Sequence, residues 1–521
     1  MFKPNYYQDH GIADLTDTET GMAVRTMLPD PSRETASVQA YIGARFSRSD
    51  KSLVALAEET KVKGKAPERL EKIFEGYRHR SVGDQARIMV TLEGIPDLEA
   101  MYLLYLLPDY AAQQRSTRYQ DFSNPHYLVP PDYKEIYCKL FEEALAAYKE
   151  AYDQIAETLL KQYPDAPAKT IEARALDEVR DLLPAGIGTN LAIYASARVM
   201  SEAIAQLRGS YFSVRRRIGE LLYHLLKGTY HSDAYTAEAW RLIRHTEPKS
   251  EPEEIRRNIV PRIGDIYTRE TNEGPLVNKT MEINGENYSS AVSEMIRRCA
   301  ALFAPNPKLS CSINNTDFKR FIESTLAEEV FRHDDKTPLG NFAQVGAIRF
   351  EGLSKIGTLR DINRHRSTER FFPFLETATI VSDLTFISGD LDNFTGFSDN
   401  VINGYKQAIE GTTTDVRHFW KNWQKWLKHF KGEELDWYKF SEISGYAKYL
   451  LPLGTPTRYF VSCSPEDLTY ISHVRTRPGG HLDYRRLVRS WVETLVEQEP
   501  FYRPLLDHLP EINPEEDFYL R

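Results

Sequence analysis

The sequence predicts an α+β protein built from two tandem copies of one domain, and three observations carry that expectation. The first is a weak internal repeat. Glu93-Gly94-Ile95, Leu106-Leu107-Pro108 and Ser116-Thr117-Arg118-Tyr119 stand in register with Glu351-Gly352-Leu353, Arg364-His365-Arg366 and Phe374-Leu375-Glu376, at a constant offset of 258 residues. The second is a pair of strand-like segments inside that repeat. The third is a set of long amphipathic stretches with helical spacing.

Taken in chain order, residues 86–95 (ARIMVTLEGI) combine β-favouring side chains with partial alternation and follow a turn-like stretch, which predicts a strand. Residues 141–163 hold strong helix formers, with Leu145, Tyr148, Tyr152, Ile155 and Leu159 on one stripe, and predict a packed helix. Residues 191–207 are expected to continue as helix, with Ile193, Met200, Ile204 and Leu207 on one face and Arg198 on another. Residues 343–353 (AQVGAIRFEGL) predict the strand that matches 86–95. Residues 484–497 place Leu487, Val488, Trp491, Val492, Leu495 and Val496 in a broad apolar stripe and predict a last long helix, packed on its own domain or on a partner chain. Between the halves, Glu247-Pro248-Lys249-Ser250-Glu251-Pro252-Glu253-Glu254 joins two prolines to a charge run, as interdomain connections do. The expected organisation is a first domain over 1–247, a linker over 248–290 and a second domain over 291–521.

Bulk properties narrow the function classes. At 521 residues, 41% hydrophobic and 27% charged, each half is large enough to bury a core of its own. A net charge of −9 argues against a protein that grips nucleic acid over a broad surface, though a few arginines still suffice for one mononucleotide. The longest apolar run, residues 100–108, falls far short of the roughly 20 residues needed to span a bilayer. The first ten residues lack a secretory pattern, and Cys138, Cys299, Cys311 and Cys463 are dispersed without metal or disulfide spacing, so a cytoplasmic location is expected. His224 and His231 have no third ligand in sequence, and no metal is expected. Arg215-Arg216-Arg217 is expected on a solvated helix face, and Trp420, Trp423 and Trp426 in core packing.

The chemistry lies in how the repeat has diverged. One copy has the basic triplet Arg364-His365-Arg366 where the other has Leu106-Leu107-Pro108; the other has Ser116-x-Arg118 where the first has Phe374 and Glu376. A second block pairs Leu182-Leu183-Pro184 with Leu450-Leu451-Pro452. In that register Arg198 faces Glu466 and Leu207 faces Arg475, whereas Arg180 and Lys448 are both cationic. Reciprocal loss of this kind points to one composite site. Taken alone, Arg-His-Arg also suits a solvated helix end, and His79 a buried hydrogen-bonded histidine.

In their shared order these fragments resemble the flavin-dependent thymidylate synthases, in a divergent, double-length form. The family signature, Arg-His-Arg followed by Ser-x-Arg-Tyr, is split here between Arg364-His365-Arg366 and Ser116-Thr117-Arg118-Tyr119. Ala44-Arg45-Phe46-Ser47, His79-Arg80-Ser81, Thr337-Pro338 and residues 447–475 resemble further family elements, with Lys448 in place of an arginine. Gln114 stands where members usually have glutamate, which leaves a shifted pyrimidine preference open.

The resemblance implies helix-rich domains with an antiparallel sheet in each, and synthesis of dTMP from dUMP. The one-carbon donor would be methylenetetrahydrofolate, and the reductant FADH2, regenerated by NADPH. It further implies that Ser116, Arg118 and Arg180 (or Lys448) hold the nucleotide phosphate and that Arg475 contacts the uracil. Ser47, His79, Ser81, Arg198, Arg364, His365 and Arg366 would contact FAD. Planar guanidinium groups suit phosphate because their paired N–H donors match its oxygens. Because family sites form between subunits of a tetramer, a homodimer imitating four subunits is expected. The alternatives are flavin-dependent modification of another pyrimidine nucleotide and a catalytically silent nucleotide-binding homologue.

Overall fold

The computed structural model describes residues 1–7, 12–27, 36–47, 49–63, 80–122, 124–131, 134–210, 212–227 and 240–249. Beyond these it describes residues 280–283, 286–289, 347–372, 375, 446, 448–454, 456–513 and 516–520. The linker expected over 248–290, His79, Thr337-Pro338, Glu376 and the tryptophans of 420–426 therefore fall wholly or largely outside the described residues.

The architecture is α+β, with antiparallel sheets and many helices. The first sheet contains β1 (Phe2–Tyr7), β2 (Ile12–Asp17), β3 (Ala23–Met27), β4 (Arg87–Pro96), β5 (Tyr110–Gln114) and β6 (Gly188–Ser196). Its order is β1-β2-β3-β4-β6-β5, antiparallel throughout. In β4, Ile88, Val90 and Leu92 are buried while Met89 is exposed, so the two-residue period of the strand sets which face meets the core. The register shifts between Glu93 and Ile95, where Gly94 takes φ 69°, a conformation that favours glycine.

Helices α1 (Ala36–Phe46) and α2 (Leu53–Lys63) precede β4, and α3 (Asp97–Leu106) follows it. Then come α4 (Lys134–Gln162) and α5 (Ala168–Val179), with α6 (Ala197–Arg208) and α7 (Ser213–Lys227) after β6. The helix expected over 141–163 is thus present and longer. The helix expected over 191–207 is corrected: its first third is β6. Leu191, Ile193 and Ala195 are buried and alternate with Asn190, Ala192 and Tyr194, so the period there is two. Helix begins only after Ser196, whose hydroxyl accepts a hydrogen bond from the Val199 N–H at 3.2 Å as an N-cap.

The hairpin β7 (Thr280–Ile283) and β8 (Glu286–Ser289) stands apart as a two-stranded sheet. The third sheet orders as β10-β11-β9, from β9 (Ile348–Lys355), β10 (Glu369–Phe371) and β11 (Pro456–Cys463). The buried helix α8 (Ile356–Ile362) follows β9 directly, and α9 (Pro465–Thr476) follows β11 behind a Ser464/Asp467 capping box. The expected last helix is α10 (Leu482–Gln498), followed by the short α11 (Arg503–Asp507). Val488, Trp491, Val492, Leu495 and Val496 of α10 are buried, each contributing about 1.5–3 kcal/mol. Trp491 stacks on Phe350 at 4.8 Å and donates to the Tyr459 hydroxyl at 2.7 Å, which ties α10 to this sheet. A strand–helix, strand–helix–helix order therefore occurs on both sides, as β4-α3, β6-α6-α7 and as β9-α8, β11-α9-α10.

The two sides meet at the Leu-Leu-Pro segments. Pro184 bridges Pro452 in antiparallel sense. The Ala185, Gly186, Leu453 and Gly454 amides donate to the carbonyls of Leu451, Tyr449, Leu183 and Asp181, each at 2.8 Å. Buried backbone groups that lack a sheet partner in their own half thus find one in the other. The antiparallel sense sends Arg180 and Lys448, each four residues before its proline, to opposite ends of this joint.

Candidate active site

At the Arg180 end of the joint, charged side chains from both halves converge. Arg180 follows α5 and is 1% exposed; its Nη1 meets Asp361 Oδ2 at 3.1 Å. Its Nε and Nη2 are buried and meet no hydrogen-bond acceptor among the described residues. Gly357 of α8 lies against this group, where a Cβ would stand in ordinary contact, 3.6 Å from Arg180 Nη2. Burial works against ionisation of Asp361, yet Arg180, Arg364, Arg475 and Arg360 together hold its carboxyl well below the usual range.

Arg475, near the end of α9, is anchored twice. Its Nη2 donates to the Asp361 carbonyl at 2.8 Å, and its Nε to His365 Nε2 at 2.7 Å. A ring nitrogen that accepts from guanidinium is unprotonated, and the electrostatics agree. Burial first, then Arg475 and Arg370, push the His365 pKa down to about 3.

Arg118, in the turn after β5, donates to both Asp177 oxygens at 2.7 and 3.0 Å and to the Gly479 carbonyl at 2.9 Å, with the Tyr484 hydroxyl at 3.5 Å. The Ser116 hydroxyl accepts from the Arg118 amide at 3.2 Å and so shapes the same turn. Tyr484, at the start of α10, lies under the Arg475 guanidinium at 5.2 Å and links the two arginines. Arg360, buried on α8, pairs with Asp97 at 3.0 Å and donates to the Arg115 carbonyl at 2.7 Å. Gln114 donates its amide to Asp97 at 2.9 Å, and its buried Oε1 meets no donor among the described residues.

Behind this cluster lies an acidic one. Lys355 bridges Asp181 at 2.8 Å and Asp483 at 3.1 Å. Beside it burial first, then Asp483, Asp177 and Asp181, push the Glu178 carboxyl up to about 8. His481 donates from Nε2 to the Asp177 carbonyl at 3.0 Å while its Nδ1 accepts from the Asp483 amide at 3.2 Å, which fixes its tautomer.

Of the sequence-predicted residues, Ser116, Arg118, Arg180, Arg364, His365 and Arg475 belong to this neighbourhood. Arg366 lies over the Tyr110 ring at 5.6 Å, at the outer end of β5. Ser47, Ser81 and Arg198 form another group, on elements that pack together. Ser47 follows α1, Ser81 lies in the 3-10 turn Arg80–Asp84, and Arg198 lies in the first turn of α6. Arg198 is 37% exposed, and its Nε donates to both Asp84 oxygens, at 2.8 and 2.9 Å. The Ser47 and Ser81 side chains are exposed.

Lys448 lies at the other end of the joint, with its ammonium 5.2 Å from the Phe212 ring centre. Positions that pair there with Asp361, His365 and Arg475 in the repeat are Leu103, Leu107 and Leu207, all buried in the apolar core. Arg215 is corrected from a solvated helix face. It is buried, pairs with Glu99 at 2.8 Å and stacks over Tyr102 at 3.4 Å.

Sequence reasoning missed Asp97, Asp177, Arg360, Asp361 and Tyr484. The available signal was Arg360-Asp361, a charged pair in the otherwise apolar run 356–362 and within one helical turn of Arg364.

The comparisons with known proteins agree with the motifs. Residues 28–213 match the model of the thymidylate synthase complementing protein family, so the resemblance read from the sequence is borne out. The matched stretch contains Ser47, His79, Ser81, Ser116, Arg118, Arg180 and Arg198, whereas Arg364, His365, Arg366, Lys448 and Arg475 lie beyond it. A UPF0159 protein of Chlamydia pneumoniae is 22% identical over 462 residues, covering 84% of this chain and 80% of its own. A second, from Chlamydia muridarum, is 21% identical over 462 residues, covering 85% and 81%. A likeness of that length runs through both halves.

Proposed function

We propose that this chain is a flavin-dependent thymidylate synthase that makes dTMP from dUMP, with methylenetetrahydrofolate as one-carbon donor and FADH2, regenerated by NADPH, as reductant. The observation that carries this reading is the convergence of Arg118, Arg180, Arg360, Arg364 and Arg475 from both halves, with the buried Nε and Nη2 of Arg180 unengaged among the described residues. Buried donors without acceptors are costly unless a ligand completes them, and a phosphate ester does so with charge-assisted hydrogen bonds of about 1.5–3 kcal/mol each.

In this reading Arg180, Arg118 and Ser116 hold the phosphate. Arg475, fixed by His365 and the Asp361 carbonyl, presents its remaining N–H donors to the pyrimidine and stabilises negative charge that develops on the ring. Burial of the site keeps water from weakening these interactions. Ser47, His79, Ser81 and Arg198, with Arg364, His365 and Arg366, would hold FAD. Ser47 and Ser81 are exposed on elements that pack together with the one that carries Arg198, and in this reading they offer hydroxyls to the flavin's diphosphate. Bound there, the flavin supplies the reducing hydride.

The same reading makes the chain a tandem duplication in which one of two equivalent sites has been filled with leucine, working as a homodimer that stands in for a tetramer. The repeated strand–helix order and the reciprocal Leu-Leu-Pro joint support it. A second reading keeps flavin and nucleotide and changes the pyrimidine. It is favoured by Gln114, whose amide is turned to Asp97 and whose carbonyl, without a donor among the described residues, can accept from a ligand.

The test is the visible absorption spectrum of the purified protein with FAD, followed by dUMP titration and then a full assay with folate and NADPH. A flavin spectrum that responds to dUMP, and dTMP as product, is the expected result. Flavin binding with a different methylated pyrimidine selects the second reading. Absence of flavin binding overturns both and leaves a silent homologue.

A further inference from the structure

We propose that residues 517–520 form a strap that holds the two helices framing the cationic site in register, and that Arg174 and Arg485 are positioning residues acting through it. The inference concerns the shape of the site and holds whichever anion binds; only its nucleotide readout rests on the function proposed above.

The strap grips the first half through its backbone. Arg174 lies on α5, three residues before Asp177 and therefore on the same helical face. Its guanidinium donates to the Phe518 carbonyl at 3.0 Å, to the Leu520 carbonyl at 3.3 Å and to the Asp517 carbonyl. These carbonyls belong to the closing 3-10 turn Glu516–Tyr519 and the residue after it, where a helix end leaves acceptors unsatisfied and carries partial negative charge. Phe518 is buried and stacks on Tyr163 at 3.9 Å, with Tyr519 edge-on to Tyr163 at 6.2 Å.

It grips the second half through a side chain. The Asp517 carboxylate pairs with Arg485 of α10, and both are buried. Arg485 also donates to the Thr476 carbonyl at 3.1 Å. Each of these contacts lies one residue from the site, because Tyr484 precedes Arg485 and Arg475 precedes Thr476. On the other side α5 carries Asp177 and leads directly into Arg180. One four-residue segment thus joins α5, which leads into Arg180, to α10, which carries Tyr484, beside the end of α9, which carries Arg475. Its outer end is at the surface, with Tyr519 53% and Leu520 49% exposed, so its loss loosens a clasp on the outside of the molecule.

The experiment compares the full chain with two variants: a chain ending at Asn513, and full-length Arg174→Gln, which keeps the segment but removes its grip. Amide hydrogen exchange without ligand is followed over residues 174–181 and 475–485, with strands 188–196 and 456–463 as controls. We expect exchange in the two framing segments to rise about tenfold in both variants, with the control strands unchanged. We also expect dUMP to bind about tenfold more weakly, and a synthetic peptide of residues 510–521 to restore both properties to the shortened chain. Unchanged exchange in the framing segments, or an equal rise in the control strands, overturns the strap. A full chain that binds no dUMP removes the proposed substrate, and the exchange data then still decide the strap.

Discussion

At one end of the paired Leu-Leu-Pro segments Arg180 faces Asp361, and Arg475 rests on His365; at the other, Lys448 lies against Phe212, and the matching repeat positions are Leu103, Leu107 and Leu207. The backbone joint is nearly the same from either side, with amide and carbonyl partners exchanged in pairs. The contrast teaches that backbone geometry and site chemistry are separable. The joint satisfies buried peptide groups in both directions, while the side chains around it commit one end to charge and the other to apolar packing.

The largest expected effect follows from Arg180→Ala, which leaves Asp361 buried without its nearest cation. Loss of one partner of a buried ion pair costs about 3–5 kcal/mol, read by denaturant unfolding, and nucleotide binding should disappear with it. The counterpart change, Leu207→Arg, places an unpaired charge in the apolar end. It should destabilise the chain by about 3 kcal/mol or more without creating a second binding site, as calorimetry on any folded fraction will show.

A smaller, chemically specific effect separates His365→Leu from His365→Gln. Leucine removes the acceptor that orients Arg475 and should lower turnover about ten- to hundredfold, whereas glutamine, which can still accept, should retain most of it. Because the folded imidazole titrates near 3 and the unfolded one near 6.5, only the unfolded chain takes up this proton between those values. This group's contribution is therefore fully present above pH 6.5 and is lost as pH falls toward 3; His365→Gln should remove that part of the acid sensitivity.

Glu178 has the opposite sign. Its carboxyl titrates near 8 in the folded protein and near 4.5 unfolded, so its contribution is present at low pH and is lost as pH rises from 4.5 to 8. Glu178→Gln should flatten that alkaline slope in thermal melts. The smallest effect is expected at Lys448→Arg, which keeps a cation beside Phe212. Ligand binding should be unchanged and stability altered by about 1 kcal/mol or less.

Much of this was legible from the residues. The strand expected over 86–95, the described part of the one expected over 343–353, the helices at 141–163 and 484–497, and the meeting of Arg118, Arg180 and Arg475 follow from periodicity, the repeat offsets and the family motifs. What was not legible has physical causes. Residues 188–196 are rich in alanine and lead directly into a helix, so a two-residue period was hidden inside a helical one. Arg215 lies within a run of three arginines that reads as solvated, and only the fold brings Glu99, Tyr102 and Tyr449 around it. Asp177 belongs to the site through a contact across a long sequence separation, which no local pattern encodes, and Asp361, though marked by its place in an apolar run, meets its partner Arg180 only through the fold.

The most direct test of a single composite site is the stoichiometry of dUMP binding to the FAD-loaded protein, measured by isothermal titration calorimetry. One nucleotide per chain, abolished by Arg180→Ala and unaffected by Lys448→Arg, is the predicted result. Two nucleotides per chain, or binding that survives loss of Arg180 and fails with Lys448→Arg, would contradict it.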